Sequence, residues 1–507
     1  MHFDTPHPTV LFGFSALTAA VLVLALTLGS GRPRVLLLRL LLPWVLGLGL
    51  SACGEPENDG RFGGVRSALR ACLQSTAGAT GASVSITRGE EVLFEAAEGT
   101  RSYGLGAPQV LPETLFKMES VSKTVAALTA LRLVEEGRLN LDARIADVLP
   151  GWTLERSPEF AARMTVRQLL NHSTCIDDTA VFIPEGDSPQ AVIEEQMPGK
   201  LVSICPPGSL WLYSNRGYWI LGRIIERAAG TSYREAAQTR VLDALGLKRS
   251  ALSLAEARQR GMATQHEVNF FLDPMPAAVG ESSSYSLASE ALYSNVREYP
   301  RVIRAMAQPG LLSQGSRDAI IQSLSRTGAP GEGWGLGVQV FDGGYPVRGG
   351  RTRWPAIQHT GGYLGASAHA LHLPVQDVTV TVLVNGRDAS TYQVVAAALE
   401  AMELTEPIEP FPPPRPNSEY VGRYENALAQ DAFQMKWMEV SEAGGELRVR
   451  GAQGSKSFSG TLVPLWENVF TLNAGSQFND EVSFLRGEDD RPRFLRSRLF
   501  ALTRVDP

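Results

Sequence analysis

Four cysteines in 507 residues are too few for a disulfide-built scaffold, and none stands at a zinc-ligand spacing. The seven histidines are scattered, and His369 and His372, three apart in a strand-like run, would point to opposite faces. No metal and no other cofactor is expected. A surplus of charge is also missing: 47 basic against 53 acidic side chains leave a net −6, which excludes a polybasic nucleic-acid binder and a strongly acidic tail. There is no solenoid-type repeat. Lysine is scarce, six against 41 arginines. An ammonium can give up its proton where a guanidinium cannot, so a lysine at a motif position carries information in this chain. What remains is an ordinary globular composition, 44% hydrophobic and 20% charged, at a length suited to two or three domains.

Residues 1–53 read as an export segment. Positions 8–31 carry no charge, Arg32, Arg34 and Arg39 follow, and a second apolar run of 13 residues extends from Leu40 to Ala52. That run fits the hydrophobic region of a signal peptide and is too short to span a bilayer comfortably. Its ending, Leu50-Ser51-Ala52-Cys53, resembles a bacterial lipobox with Cys53 as the lipidated residue. The alternative is a signal anchor formed by the first run, with its positive loop in the cytoplasm. Both place the rest of the chain outside the cytoplasm, attached to the membrane of a bacterial envelope.

The exported part divides at a proline-rich stretch. Residues 62–103 predict a short helix and a hairpin turning at Arg88-Gly89. From about 120 to 330 the pattern is mostly helical, with Val125, Leu128 and Leu131 near helical spacing before Gly137, and a second strong helix ending at Gly230. Strand patterns return before a closing helix near 392–404. Strands at both ends of a helical middle predict an α+β fold over 62–405: an antiparallel sheet flanked by helices, with an inserted helical subdomain. Six prolines in the eleven residues 407–417 predict a stiff linker at 406–417. Residues 418–507 alternate short apolar and polar positions between turns, as in a small antiparallel β-barrel or sandwich.

Ser120-Val121-Ser122-Lys123 opens the first strong helix. Three residues apart, the hydroxyl and the amine share a face, as an alcohol nucleophile and its base require. Chance alone would give about half a Ser-x-x-Lys match in this composition, so the tetrad needs company. Tyr213-Ser214-Asn215 supplies some, lying after Pro-Gly and before an amphipathic helix. Two further Tyr-x-Asn triplets, Tyr293-Ser294-Asn295 and Tyr424-Glu425-Asn426, compete with it. His359-Thr360-Gly361-Gly362 falls on or beside a strand edge, where two glycines let a substrate backbone approach.

In order and spacing these motifs resemble the serine β-lactamase and penicillin-binding protein superfamily, and within it the branch of class C β-lactamases, D-alanyl-D-alanine carboxypeptidases and esterases. The resemblance runs over about residues 65–405. It implies that Ser120 is the acylated nucleophile, Lys123 its proton acceptor and Tyr213 the relay to the leaving group. Asn215 would orient Lys123 and the substrate amide. The backbone N–H groups of Ser120 and Gly362 would form the oxyanion hole, His359 and Thr360 would hold a substrate carboxylate or complete the polar wall, and Gly361 would line the substrate. His359 stands where class C β-lactamases carry lysine, which points away from antibiotic hydrolysis. Cys175 stands where relatives usually carry Ser-Gly. It suggests a bridge to Cys205, both residues flanking motif segments, although sequence alone leaves the pairing open and free thiols remain the alternative. His172 reads as a structural hydrogen-bonding residue, and Trp211 and Tyr363 as packing rather than substrate stacking.

The function implied is an exported serine hydrolase acting through an acyl-enzyme on a peptide, D-amino-acid amide or ester. The alternatives are a catalytically silent recognition protein of the envelope and a true class C-type β-lactamase. Partners are a small-molecule or peptide substrate and the membrane, not nucleic acid.

Overall fold

The computed structural model describes residues 59–505, apart from 180–183, 269–273, 278–279, 330, 349, 408–414, 430–433, 475–478, 488 and 499. The predicted signal segment with Cys53, and most of the predicted linker, lie outside the described residues. No helix among the described residues is long and apolar enough to cross a membrane.

Helix α1 (Gly63–Ser75) precedes the hairpin of β1 (Gly81–Arg88) and β2 (Glu91–Gly99). The middle of the chain holds α2 (Lys123–Glu135) and α3 (Asn215–Ala229), the latter stopped by Gly230 in a left-handed conformation, φ 69°. Strands return as β3 (Ser325–Arg326), β4 (Glu332–Trp334), β5 (Gln339–Phe341), β6 (Ala356–Tyr363), β7 (Ala366–Leu373) and β8 (Val378–Val384), before α4 (Thr391–Ala401). They form one antiparallel sheet in the order β2-β1-β8-β7-β6-β5-β4-β3. The first hairpin therefore closes against the last long strand, with Val84 opposite Val382.

Helices cover both faces, which explains why β8, Val-Thr-Val-Thr-Val-Leu-Val, is buried throughout. On one side Val380 and Val382 pack with Val65 and Leu69 of α1 and Val394 and Ala398 of α4. On the other, Leu383, Ala368 and Ala370 join Val125, Leu128, Ile220 and Ile224 of the helical subdomain. Each fully buried Val, Leu or Ile contributes roughly 1.5–3 kcal/mol. Helix α2 is enclosed almost all round, so Lys123 at its first position has no exposed surface.

Eight further strands close into a barrel: β9 (Gly422–Glu425), β10 (Met435–Ala443), β11 (Glu446–Gln453), β12 (Lys456–Trp466), β13 (Val469–Asn473), β14 (Asn479–Arg486), β15 (Pro492–Arg496) and β16 (Ala501–Arg504). Pairing of Tyr424 with Arg504 completes the circuit and leaves no open edge. The sequence pattern allowed a barrel or a sandwich, and the closed barrel forms. It is packed with Tyr420, Tyr424, Phe470 and Phe484.

Residues Gly60–Pro507 make one compact unit. Pairing reaches into the predicted linker, because Thr405–Pro407 adds a strand to Gly350–Thr352. Phe494 and Ala501 of the barrel share an apolar cluster with Cys175, Cys205, Leu210 and Leu212. Beside it Gln434 Nε2 donates to Asp177 Oδ2 at 2.6 Å. Cys175 and Cys205 form a disulfide with Cα atoms 5.5 Å apart, and Cys72 is a buried free thiol.

Candidate active site

Ser120 sits in a short 3-10 turn, Glu119–Ser122, that runs directly into α2. Lys123 Nζ reaches back to Ser120 Oγ at 3.3 Å. Its remaining contacts are neutral acceptors: Asn215 Oδ1 at 2.8 Å and the Ser289 carbonyl at 3.2 Å. Each hydrogen of the ammonium thus has an acceptor. Loss of one proton turns the Ser120 contact round, so that the hydroxyl donates to a lone pair on nitrogen.

Tyr213 and Asn215 arrive on the segment that enters α3. Ser214 caps this helix, its hydroxyl accepting from the Gly217 N–H at 2.9 Å. The Asp178 carboxylate gathers the surrounding donors. Its Oδ2 accepts from the Asn215 N–H at 3.1 Å and Nδ2 at 3.3 Å, its Oδ1 from the Arg216 N–H and the Ser214 hydroxyl, both at 3.0 Å. The helix dipole favours a carboxylate here. Since Asp178 takes the Asn215 amide hydrogens, Oδ1 is left to face Lys123.

Tyr213 is 2% exposed, and two cations lie over its ring: Lys123 Nζ at 5.0 Å from the centroid and the Arg498 guanidinium at 4.3 Å. Burial alone would raise the phenol, but the charges of Lys123 and Arg498 and the polar groups of Lys123 and Ser120 outweigh it. The pKa falls below the ordinary tyrosine value. The hydroxyl itself is buried, with Lys123 and Ser120 as its polar neighbours. His172 holds this segment in place. Its Nδ1 accepts from the Ser214 N–H at 3.1 Å, its carbonyl from the Leu212 N–H at 2.8 Å, and its ring lies 4.3 Å from that of Tyr213.

Strand β6 passes against the nucleophile turn. A Cβ on Gly361 would come within 2.3 Å of the Met118 carbonyl oxygen and 3.2 Å of the Ser120 nitrogen, so only glycine fits. At Gly362 a Cβ would meet nothing closer than 3.8 Å. Strand β5 pairs with Ala356–Gln358 only, so from His359 to Tyr363 this edge of β6 has no strand partner among the described residues. It is a place where an extended substrate could lie. Thr360 is half-buried on this stretch.

Of the two roles expected of His359, holding a carboxylate and completing the polar wall, its surroundings bear on the first. Burial, and then the charge of Lys123, push its imidazole down to about 3, so it is neutral. Its Nδ1 lies 2.7 Å from the Thr360 carbonyl and therefore carries the hydrogen, which leaves Nε2 as a buried acceptor without a partner. His359 offers a lone pair, not a positive charge.

The sequence profile of the family described as Beta-lactamase matches residues 65–402. The chain belongs to the beta-lactamase family. It is 29% identical over 345 residues to "Penicillin-binding protein 4" of Amycolatopsis lactamdurans, spanning 64% of this chain and 87% of that one. It is 26% identical over 322 residues to "Esterase EstB" of Burkholderia gladioli, spanning 55% of this chain and 80% of that one. Among solved structures, that of SurE superposes with a TM-score of 0.62 at 22% identity, covering 88% of this chain and 99% of the other. That share exceeds residues 60–405, so the likeness of fold extends into the barrel.

The competing Tyr-x-Asn triplets fall away from this beta-lactamase-family site. Tyr293-Ser294 pairs with Phe116–Lys117 beneath the nucleophile turn, and Tyr424 fills the barrel. Trp211 packs as expected, between Trp334, 5.3 Å away, and the Arg496 guanidinium and beside Tyr213, whereas Tyr363, expected to pack as well, is exposed at the end of the unpaired stretch of β6. Sequence reasoning missed Asp178, Ser289 and Arg498. An acid shortly after His172 is too common a signal to stand out. Ser289 acts through its backbone, and Arg498 lies beyond the proline-rich segment.

Glu119 was missed as well. It precedes the nucleophile with φ 48°, a conformation that strains a non-glycine residue by about 1–3 kcal/mol. Its carboxyl is 4% exposed and accepts from Gln265 Nε2 at 3.1 Å. Burial raises its pKa to about 7, against the opposing charge of Lys117 and with the help of Glu290. The folded state binds this proton more tightly than the unfolded chain, where the value is near 4.5. This contribution to stability is therefore full below about pH 4.5 and is lost as pH rises through about 7. Glu119→Gln should raise the melting temperature at pH 8 relative to the parent and change it little at pH 4.5. A difference that does not vary with pH would contradict the assignment.

Proposed function

We propose that this protein is a serine hydrolase that works through an acyl-enzyme on Ser120, with a peptide, D-amino-acid amide or ester as substrate. The observation that carries this reading is the contact of the buried Lys123 amine with Ser120 Oγ, beside Tyr213 and an unpaired strand edge. Ser120 Oγ attacks the acyl carbon as its proton passes to Lys123 or a Tyr213 phenolate. The same proton then goes through Tyr213 to the leaving group, whose bond to the acyl carbon breaks. The Ser120 and Gly362 N–H groups hold the oxyanion, each worth roughly 3 kcal/mol. Water then repeats the sequence and frees Ser120. The names of the relatives, a penicillin-binding protein and an esterase, agree with this range of acyl substrates.

The neutral His359 favours esters and amides over β-lactams, because it gives the penicillin carboxylate no cation on the strand. Short-chain esters or D-amino-acid amides should be hydrolysed measurably, penicillins slowly or not at all. With the imidazole already neutral, activity should not rise from pH 7 to pH 5 on account of His359. Turnover of a cephalosporin reporter approaching the usual enzyme range of about 1–10³ per second would refute this preference.

Export belongs to the same proposal, with the chain held at the bacterial envelope through lipid on Cys53 or an N-terminal anchor. The Cys175–Cys205 disulfide suits an oxidising compartment. Mass spectrometry of the native protein that finds residues 1–52 retained and Cys53 unmodified would refute the lipid anchor.

A further inference from the structure

We propose that the barrel completes the active site: Arg498, from the β15–β16 connection, lies on Tyr213 as a positioning residue that favours the phenolate form needed for proton transfer. The inference rests on the relay role given above to Tyr213.

Three features of the geometry carry it. The guanidinium carbon stands 4.3 Å from the Tyr213 ring centroid, closer than the Lys123 nitrogen at 5.0 Å. The Tyr213 N–H donates to the Arg498 carbonyl at 3.1 Å, which ties the barrel loop to the very residue it acts on. On either side of the loop, Phe494 and Ala501 are buried against the Cys175–Cys205 disulfide and Leu210 and Leu212, so the loop is held by a shared core.

The charge of Arg498 is also not spent elsewhere. Among the described residues its guanidinium has no ion pair with a carboxylate. Most other arginines near the surface do, as Arg304 does with Asp377 and Arg415 with Glu467. The titratable groups around Tyr213 are Ser120 and Lys123 of the nucleophile turn and α2, His172 before the disulfide loop, Tyr218 on α3, whose own pKa burial raises, and Arg498 on the barrel, while His359 of β6 packs on Trp334, which in turn touches Tyr213. Both histidines are neutral, their pKa values lowered first by burial. Lys123 must exchange its own proton during the reaction, so Arg498 is the one permanent cation in this set. A fixed positive charge beside the phenol stabilises the phenolate and persists when Lys123 is neutral.

On the route where a Tyr213 phenolate, rather than Lys123, takes Ser120's proton, Tyr213 must first lose its own. On that route the acylation rate below the Tyr213 pKa follows the phenolate fraction. Replacing Arg498 should move that limb of the pH profile upward without touching the acyl carbon. The test is the pH dependence of ester acylation, from about pH 5 to 10, in the parent, Arg498→Gln and Arg498→Lys. For Arg498→Gln the rising limb should shift to higher pH by up to about one unit, seen as a severalfold to tenfold loss on the acid side that narrows toward high pH. Arg498→Lys should recover part of the shift, and high salt should reproduce part of it in the parent. A rate lowered equally at every pH, a change confined to KM, or an unmoved limb would overturn the proposal. Tyr213→Phe separates the two levels. If it leaves the rate unaltered, the relay itself is wrong; if it abolishes the rate while Arg498→Gln moves nothing, only the role of Arg498 fails.

Discussion

Ser120→Ala is expected to remove turnover of any ester or amide substrate, by at least about 10³-fold, and to leave the fold intact. The hydroxyl is the atom that would form the bond to the acyl carbon, and nothing nearby can replace it. Ser122 points elsewhere, its Oγ accepting from the Leu292 N–H at 2.9 Å inside the core. The fold should survive because the Ser120 hydroxyl makes only a long contact with Lys123, at 3.3 Å, and a polar contact with Tyr213, neither of which holds an element of the core. Steady-state kinetics with circular dichroism would check both halves. Appreciable residual turnover in a folded variant would take the nucleophile assignment away from Ser120.

Lys123→Arg should be nearly as damaging, with acylation slower by at least about a hundredfold, because general-base contributions amount to roughly 10²–10⁴. Charge is retained and the neutral form is lost. The larger planar group must also enter a cage with no exposed surface, between the rings of Tyr213 and Tyr218. Lys123→Met, which fits the cage but has no basic nitrogen, distinguishes chemistry from crowding. It should be as slow as the arginine variant. Pre-steady-state acylation rates close to the parent in either variant would mean that Lys123 neither takes the proton nor is needed for a Tyr213 phenolate to take it.

Much of this fold was legible because its signals are local. The β1–β2 hairpin turns at Gly89, α3 ends at Gly230, and the continuous apolar run of β8 needs helices on both faces. The tetrad at Ser120 was legible for the same reason, since a three-residue spacing on a helix dictates the meeting of hydroxyl and amine. The competing Tyr-x-Asn triplets were separable only by what surrounds them, and the Pro-Gly lead-in and amphipathic helix mark the triplet whose Asn215 meets Lys123. What sequence could not give were contacts made by tertiary closure. Asp178 matters because the disulfide loop brings it to the N-terminus of α3. Arg498 matters because a barrel beyond a proline-rich segment docks beside Tyr213. An uncharged His359 at neutral pH was already open from the ordinary histidine pKa, and burial is what holds it neutral well below that value. Tertiary closure also accounts for Gly361, where the glycine is required by the turn of Ser120 lying directly against it.

The most direct measurement is covalent. The purified full-length protein, treated with a fluorophosphonate and digested, should yield one modified peptide with the added mass on Ser120. The Ser120→Ala protein should yield none. A stable adduct on another residue, or an unlabelled protein whose fold is intact, would contradict the acyl-enzyme mechanism, and the second result would favour a recognition protein that keeps the fold without the chemistry.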